Sequence, residues 1–116
     1  NHCMASLIGD GGQVGSVDFD LGLFGFGPDM VYRDHAHAAP ELYAPLTAPH
    51  GWRFRSGEKL GWRRDFAPVW NEAWAPHAFK SGPVPFLCIY CWTRDVNEPA
   101  RMIAEPDWAE LETEYA

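Results

Sequence analysis

Hydrophobic and polar residues alternate along this chain in short runs, and almost nowhere in the three-and-four spacing of a long helix. Val17, Phe19, Leu21 and Leu23 alternate within 17–26, a period of two that predicts a strand. Met30 to His37 predicts the next, interrupted by Ala39-Pro40, and Glu41 to Leu46 follows. After an expected turn through Pro49-His50-Gly51, with His50 in solvent, Trp52-Arg53-Phe54-Arg55 alternates apolar and basic. That alternation predicts a half-buried strand. Ser56-Gly57-Glu58-Lys59 turns the chain, Trp62 begins a short segment, and an aromatic-rich stretch from Asp65 to Trp74 ends at Pro76-His77. Pro85 to Trp92 is a nearly continuous apolar run and the clearest strand. Only the tail predicts a helix: Pro106-Asp107 opens it, and Trp108, Leu111 and Tyr115 recur at helical spacing. The 11 glycines and 10 prolines are spread along the whole length, so they punctuate strands and mark no linker. Many short strands separated by turns predict an all-β sandwich or barrel.

Composition narrows this picture. The 116 residues make one domain, 1–116, and 47% hydrophobic with 15% aromatic residues is a globular composition. A net charge of −7 argues against nucleic acid and against anionic membrane surfaces, both of which require clustered Lys and Arg. A small cationic or zwitterionic ligand is electrostatically acceptable. No apolar run approaches the roughly 20 residues of a membrane span, and no segment reads as a signal peptide, so the cytoplasm is the expected setting. The chain opens at Asn1 without an initiator Met and is read as a piece of a longer one.

The three cysteines, Cys3, Cys88 and Cys91, are too few and too odd in number for a disulfide framework. Cys88-Ile89-Tyr90-Cys91 has redox or zinc spacing, but it lies inside a predicted strand, where positions three apart face opposite sides. It is read as two ordinary core cysteines. Trp52, Trp62, Trp70, Trp74 and Trp108 are likewise read as core filling.

The chemistry concentrates in Tyr32-Arg33-Asp34-His35-Ala36-His37-Ala38-Ala39-Pro40-Glu41-Leu42-Tyr43. On an extended backbone His35 and His37 point to one face and can reach a single ion. Glu41 lies just past a proline that bends the chain and can return to the same ion, with Tyr43 on the face of Glu41. A further ligand must come from elsewhere, and His77, after Pro76 and before an apolar residue, is the natural candidate. Three imidazoles and a carboxylate suit one divalent transition metal, Zn, Fe, Mn, Ni or Co. Aromatic faces such as Tyr32, Tyr90 and Trp92 suit an organic cation, each contact worth about 0.5–2 kcal/mol.

His35-Ala36-His37 with Glu41 and the later His77 resembles the two metal-binding motifs of the cupin superfamily. The run from Tyr32 to Tyr43, with Trp74-Ala75-Pro76-His77-Ala78-Phe79-Lys80 and a strand carrying Trp92, is similar to the bacterial cupin dimethylsulfoniopropionate (DMSP) lyases. The resemblance covers roughly residues 20–95. It implies a double-stranded β-helix, the cupin jelly-roll barrel, to which the sequence adds the short acidic C-terminal helix, either covering a barrel end or extending into solvent. It implies a metal-dependent lyase that releases dimethyl sulfide and acrylate from DMSP, with Tyr43 as catalytic base and Tyr32, His35 and Trp92 lining the substrate pocket. A homodimer through sheet edges is implied in the same way. The chain departs from the general cupin pattern where Gly27 stands well ahead of His35, and where Glu72 and Trp74 replace the Pro and Gly that commonly precede the second-motif histidine. Another metal-dependent cupin enzyme, an isomerase or dioxygenase, and a non-catalytic binding module stand as alternatives.

Overall fold

The computed structural model describes residues 1–116. Ten strands precede one helix: β1 His2–Ile8, β2 Asp20–Phe26, β3 Val31–Ala36, β4 Glu41–Pro45, β5 His50–Arg53, β6 Gly61–Arg63, β7 Val69–Asn71, β8 His77–Ser81, β9 Phe86–Trp92, β10 Arg101–Met102 and α1 Trp108–Thr113. They form two five-stranded sheets, β1-β2-β9-β4-β7 and β10-β3-β8-β5-β6, with every pairing antiparallel. The sheets face each other as a jelly-roll barrel. No helix is long and apolar enough to cross a membrane.

Alternation in the sequence becomes inside and outside in the barrel. In β9, Phe86, Cys88 and Tyr90 point inward, while Leu87 and Ile89 face out. Phe24 and Phe26 of β2, Tyr43, Trp52, Val69 and Phe79 complete the core. Burying each such side chain contributes about 1.5–3 kcal/mol. Gly22 stands opposite Tyr90, and a Cβ there would lie 2.9 Å from the Tyr90 ring. A Cβ would also lie 2.2 Å from the Ala5 carbonyl oxygen of β1, so the glycine lets both β1 and Tyr90 approach β2 closely. The Cys88-x-x-Cys91 pair straddles the sheet, with Cys88 in the core and Cys91 half-buried on the other side, as two unlinked thiols.

Several expectations are corrected. His50 begins a strand and is fully buried, not in a solvent turn. Trp52 and Arg53 are both buried, not half-buried, because each face of β5 is covered: the core takes Trp52, and Asp107 at the start of α1 meets Arg53. Among the tryptophans only Trp52 is core. Trp70 and Trp74 are exposed, Trp74 stacking against Arg101 at 4.9 Å, and Trp62 and Trp108 are half-buried. Strands β1 and β10 lie at sheet edges and are largely exposed, so neither has the one-sided burial that marks a strand in sequence.

The helix covers neither a barrel end nor open solvent. It lies on the outer face of the second sheet, gripped by two buried cations. The Arg53 guanidinium spends all five N–H groups: on Asp34 at 3.0 and 2.6 Å, on Asp107 at 2.6 and 2.9 Å, and on the Glu58 carbonyl at 3.2 Å. Lys80 donates to the carbonyls of Leu111, Glu112 and Glu114, capping the helix C-terminus. Breaking a buried ion pair such as Arg53–Asp34 costs about 3–5 kcal/mol, because the remaining charge stays buried alone.

Candidate metal centre

The centre forms where β3, β4 and β8 meet at one end of the barrel. His35 and His77 are directly paired across β3 and β8. Their ring centroids are 4.2 Å apart, and His37, just past β3, lies 5.1 Å from His77. One ligand atom from each of the three rings lies within 4.8 Å of the others, and all three residues are buried. Glu41 opens β4, with its Oε1 3.2 Å from His37 Nε2 and 3.4 Å from His77 Nε2. The four residues the sequence proposes as ligands thus converge.

Their protons decide what the cluster can hold. The Nδ1–H of His35 donates to the Arg33 carbonyl at 2.7 Å, that of His37 to the Ala39 carbonyl at 2.7 Å, and that of His77 to the Ala75 carbonyl at 2.9 Å. A carbonyl can only accept, so each Nδ1 carries a proton and each ring turns its Nε2 inward, that of His37 onto Glu41 Oε1 at 3.2 Å. His77 Nε2 is buried without a hydrogen-bond partner. Burial, and then the neighbouring His77, push the His35 imidazole down to about 4 and keep it neutral. Burial pushes the Glu41 carboxyl up, but the facing imidazoles of His37 and His77 outweigh it and hold the group down at about 2. Ring nitrogens and an anionic carboxylate pointing at one spot, with His77 Nε2 left unpartnered, fit a cation. Backbone carbonyls that fix ring tautomers are the usual outer support of metal-binding histidines.

A β-bulge shapes this end. Tyr32 pairs with Phe79 and His35 with His77, so β3 spends three steps where β8 spends two. Tyr32 and His35 therefore share the inner face despite odd spacing. Their rings stack at 3.8 Å and 9°. Strict alternation would have put them on opposite faces.

Beside the centre is a cavity of about 160 Å³ whose wall includes Tyr32, His35, His37, Glu41, Tyr43, Tyr90 and Trp92. Every residue proposed for catalysis or substrate contact lies on it. Trp92 stacks on His37 at 4.5 Å and donates its Nε1–H to Glu41 Oε2 at 2.5 Å. The Tyr90 hydroxyl donates to Asp20 at 3.3 Å, leaving its ring to the cavity. Burial, and then the Glu41 charge, hold the Tyr43 phenol well above its usual range. A wider, open vestibule of about 400 Å³ shares Met4, Phe24 and Tyr32 with this cavity and also contains Met30 and Met102.

Asn71 is the residue sequence reasoning missed. It pairs with Glu41 on the side away from Trp92, completing an inner row Trp92–Glu41–Asn71. Its Nδ2 is buried with no acceptor. No local pattern marks it, since only strand register sets it beside Glu41.

Among models of known families, the chain matches the DMSP lyase (dimethylsulfoniopropionate lyase) family over residues 1–88. No curated protein sequence matches it. Among solved structures it is similar to the DMSP lyase DddQ from Ruegeria pomeroyi DSS-3, with TM-score 0.78 and 21% identity over 90% of this chain and 53% of that one. A cupin-like protein from Thermotoga maritima MSB8 gives TM-score 0.77 and 16% identity over 99% and 85% of the two chains. The polyketide cyclase RemF from Streptomyces resistomycificus gives 0.68 and 18% over 94% and 78%. At these identities the structural likeness carries the fold, a cupin barrel. The chain spans about half the length of DddQ.

Proposed function

Because the chain belongs to the dimethylsulfoniopropionate lyase family, we propose that it is a metal-dependent carbon–sulfur lyase that cleaves DMSP to dimethyl sulfide and acrylate. The observation that carries this reading is the convergence of three buried imidazoles and a buried carboxylate beside a cavity walled by Tyr32, Tyr43, Tyr90 and Trp92.

His35, His37, His77 and Glu41 would hold one divalent ion. When bound, that ion supplies positive charge against the substrate carboxylate and against the charge that develops on it as the α-proton leaves. The protein does the rest. Tyr32, Tyr90 and Trp92 turn aromatic faces to the dimethylsulfonium group, whose positive charge they attract. Tyr43 is the base. With no cation nearby its phenol stays protonated, for burial and Glu41 both oppose ionisation. With a divalent ion held by His35, His37, His77 and Glu41, the Glu41 charge would be offset and Tyr43 would be able to act as the phenolate. The Tyr43 oxygen takes the α-proton, the C–H pair becomes the new double bond, and the β-carbon–sulfur bond breaks with its pair on sulfur. Dimethyl sulfide leaves neutral, so no general acid is required.

The test is headspace detection of dimethyl sulfide from metal-reconstituted protein given DMSP, with His77→Ala as control. Product from the wild type and none from the control supports the reading. Folded, metal-loaded protein that forms no product would sink it. Another cupin chemistry would use the same ligands without Tyr43, and unchanged turnover of its own substrate by Tyr43→Phe would identify that case.

A further inference from the structure

The bulge of β3 does two things at once. Inward, it turns Tyr32 and His35 onto one face, ring on ring. Outward, its two intervening residues, Arg33 and Asp34, both reach α1. The Arg33 guanidinium lies 4.7 Å over the Trp108 ring and donates to Glu112 at 3.1 Å. Asp34 is buried and receives the Arg53 fork on both oxygens and the Trp108 Nε1–H at 2.9 Å. Arg53 carries the connection on to Asp107, the residue just before the helix, whose carboxylate makes no helix cap and is given to Arg53 instead.

We propose that the Asp34–Arg53–Asp107 bridge with Trp108 is a positioning device for the metal centre, holding the bulge in the shape that aims His35 at the ion. The inference rests on His35 being a ligand. Three features of the geometry carry it. Asp34 and His35 are consecutive, so a shift of the Asp34 carboxylate is a shift of the His35 backbone. The carbonyl that fixes the His35 tautomer belongs to Arg33, the other bulged residue. An unanchored bulge can also relax to regular pairing, which would turn one of Tyr32 and His35 away from the site. The four partners come from β3, β5 and the start of α1, segments far apart in sequence, and beyond this bridge Arg53 reaches only the Glu58 carbonyl. These are positioning residues, since none touches the cavity.

The experiment uses the full chain, with Co²⁺ as the probe. Affinity is measured by chelator competition, and ligand geometry by the visible absorption of bound Co²⁺. Trp108→Phe removes one hydrogen bond and keeps the ring. Asp107→Asn weakens the far side of the bridge, and Arg53→Lys keeps charge but loses the fork. Each is expected to lower Co²⁺ affinity by about 10–100-fold, as outer supports of metal ligands do, and to alter the absorption bands. Phe86→Leu, in the core at the opposite end, serves as a control for general destabilisation: it should lower the melting temperature and leave Co²⁺ affinity and spectrum as in the wild type. Bridge variants that bind Co²⁺ with wild-type affinity and spectrum would overturn the proposal and leave the metal site standing. A wild type that binds no Co²⁺, or a His35→Ala variant that binds it unchanged, would overturn the ligand reading and the proposal together.

Discussion

The two ends of the barrel interior each bury histidine, and they use it differently. His77 begins β8, and His50 stands opposite Ser81, which ends it. At the His50 end both ring nitrogens are satisfied: Nδ1 accepts the Trp52 Nε1–H at 2.8 Å, and Nε2 donates to the Asp65 carbonyl at 3.0 Å. Phe79, Phe86 and Trp52 close around it without a cavity. At the His77 end each Nδ1 meets a carbonyl, but His77 Nε2 has no hydrogen-bond partner, and the Nε2 atoms of His37 and His77 face Glu41 beside open space. Burial therefore does not separate a structural histidine from a candidate ligand; what the second ring nitrogen faces does.

Substitution should break the comparison most sharply at the His77 end. His77→Ala is expected to abolish stoichiometric binding of Zn²⁺ or Co²⁺, a loss beyond the roughly 10–100-fold that outer-support changes cost. Equilibrium dialysis measures it, and full retention of one ion per chain would contradict the site. Tyr43→Phe should lower turnover of DMSP by about 10²–10⁴-fold with metal content unchanged, the range a positioned base contributes. His50→Leu, by contrast, should leave metal stoichiometry intact and cost about 1–3 kcal/mol in urea unfolding, because the Trp52 N–H loses its acceptor inside the core.

Protons should sharpen the same contrast. Burial first of all lowers the His50 pKa, despite its bond to Asp65. A histidine whose folded pKa lies below its unfolded value of about 6.5 leaves stability intact above that value. Between the two values the unfolded chain binds the extra proton, so stability falls as pH drops. The metal-free protein should lose stability on acidification below about pH 6.5, and His50→Gln should shallow that slope. At the other end the same protons compete with the ion for Nε2, so metal release should follow acidification as well, read as free metal at each pH. The smallest effect belongs to Asn71→Leu. Removing a buried donor with no acceptor should raise metal-free stability by about 1 kcal/mol and raise KM for DMSP, if that amide receives a substrate oxygen. An unchanged KM would leave Asn71 without a role in binding.

Much of this was legible in the chain. The period-two spacing of His35 and His37, Glu41 just past Pro40, and His77 at the start of a strand needed no partner strand to be read. The alternation of Phe86, Cys88 and Tyr90 and the helical tail from Trp108 were equally plain. Two of the failures share one cause. His50 and Arg53 looked like solvent residues because their local pattern is polar, yet the residues that cover them, Asp65 and Asp107, come from other segments.

Sequence by itself determined the all-β class, the residues that converge as candidate ligands and the aromatic character of their surroundings, because strand periodicity and donor chemistry are local properties. Tertiary structure alone decided which histidines keep a free nitrogen, that Asn71 stands beside Glu41, and that Tyr32 joins His35 on the inner face. Each of those depends on register between strands, and a single bulged residue changes the register without changing the pattern that a lone strand displays.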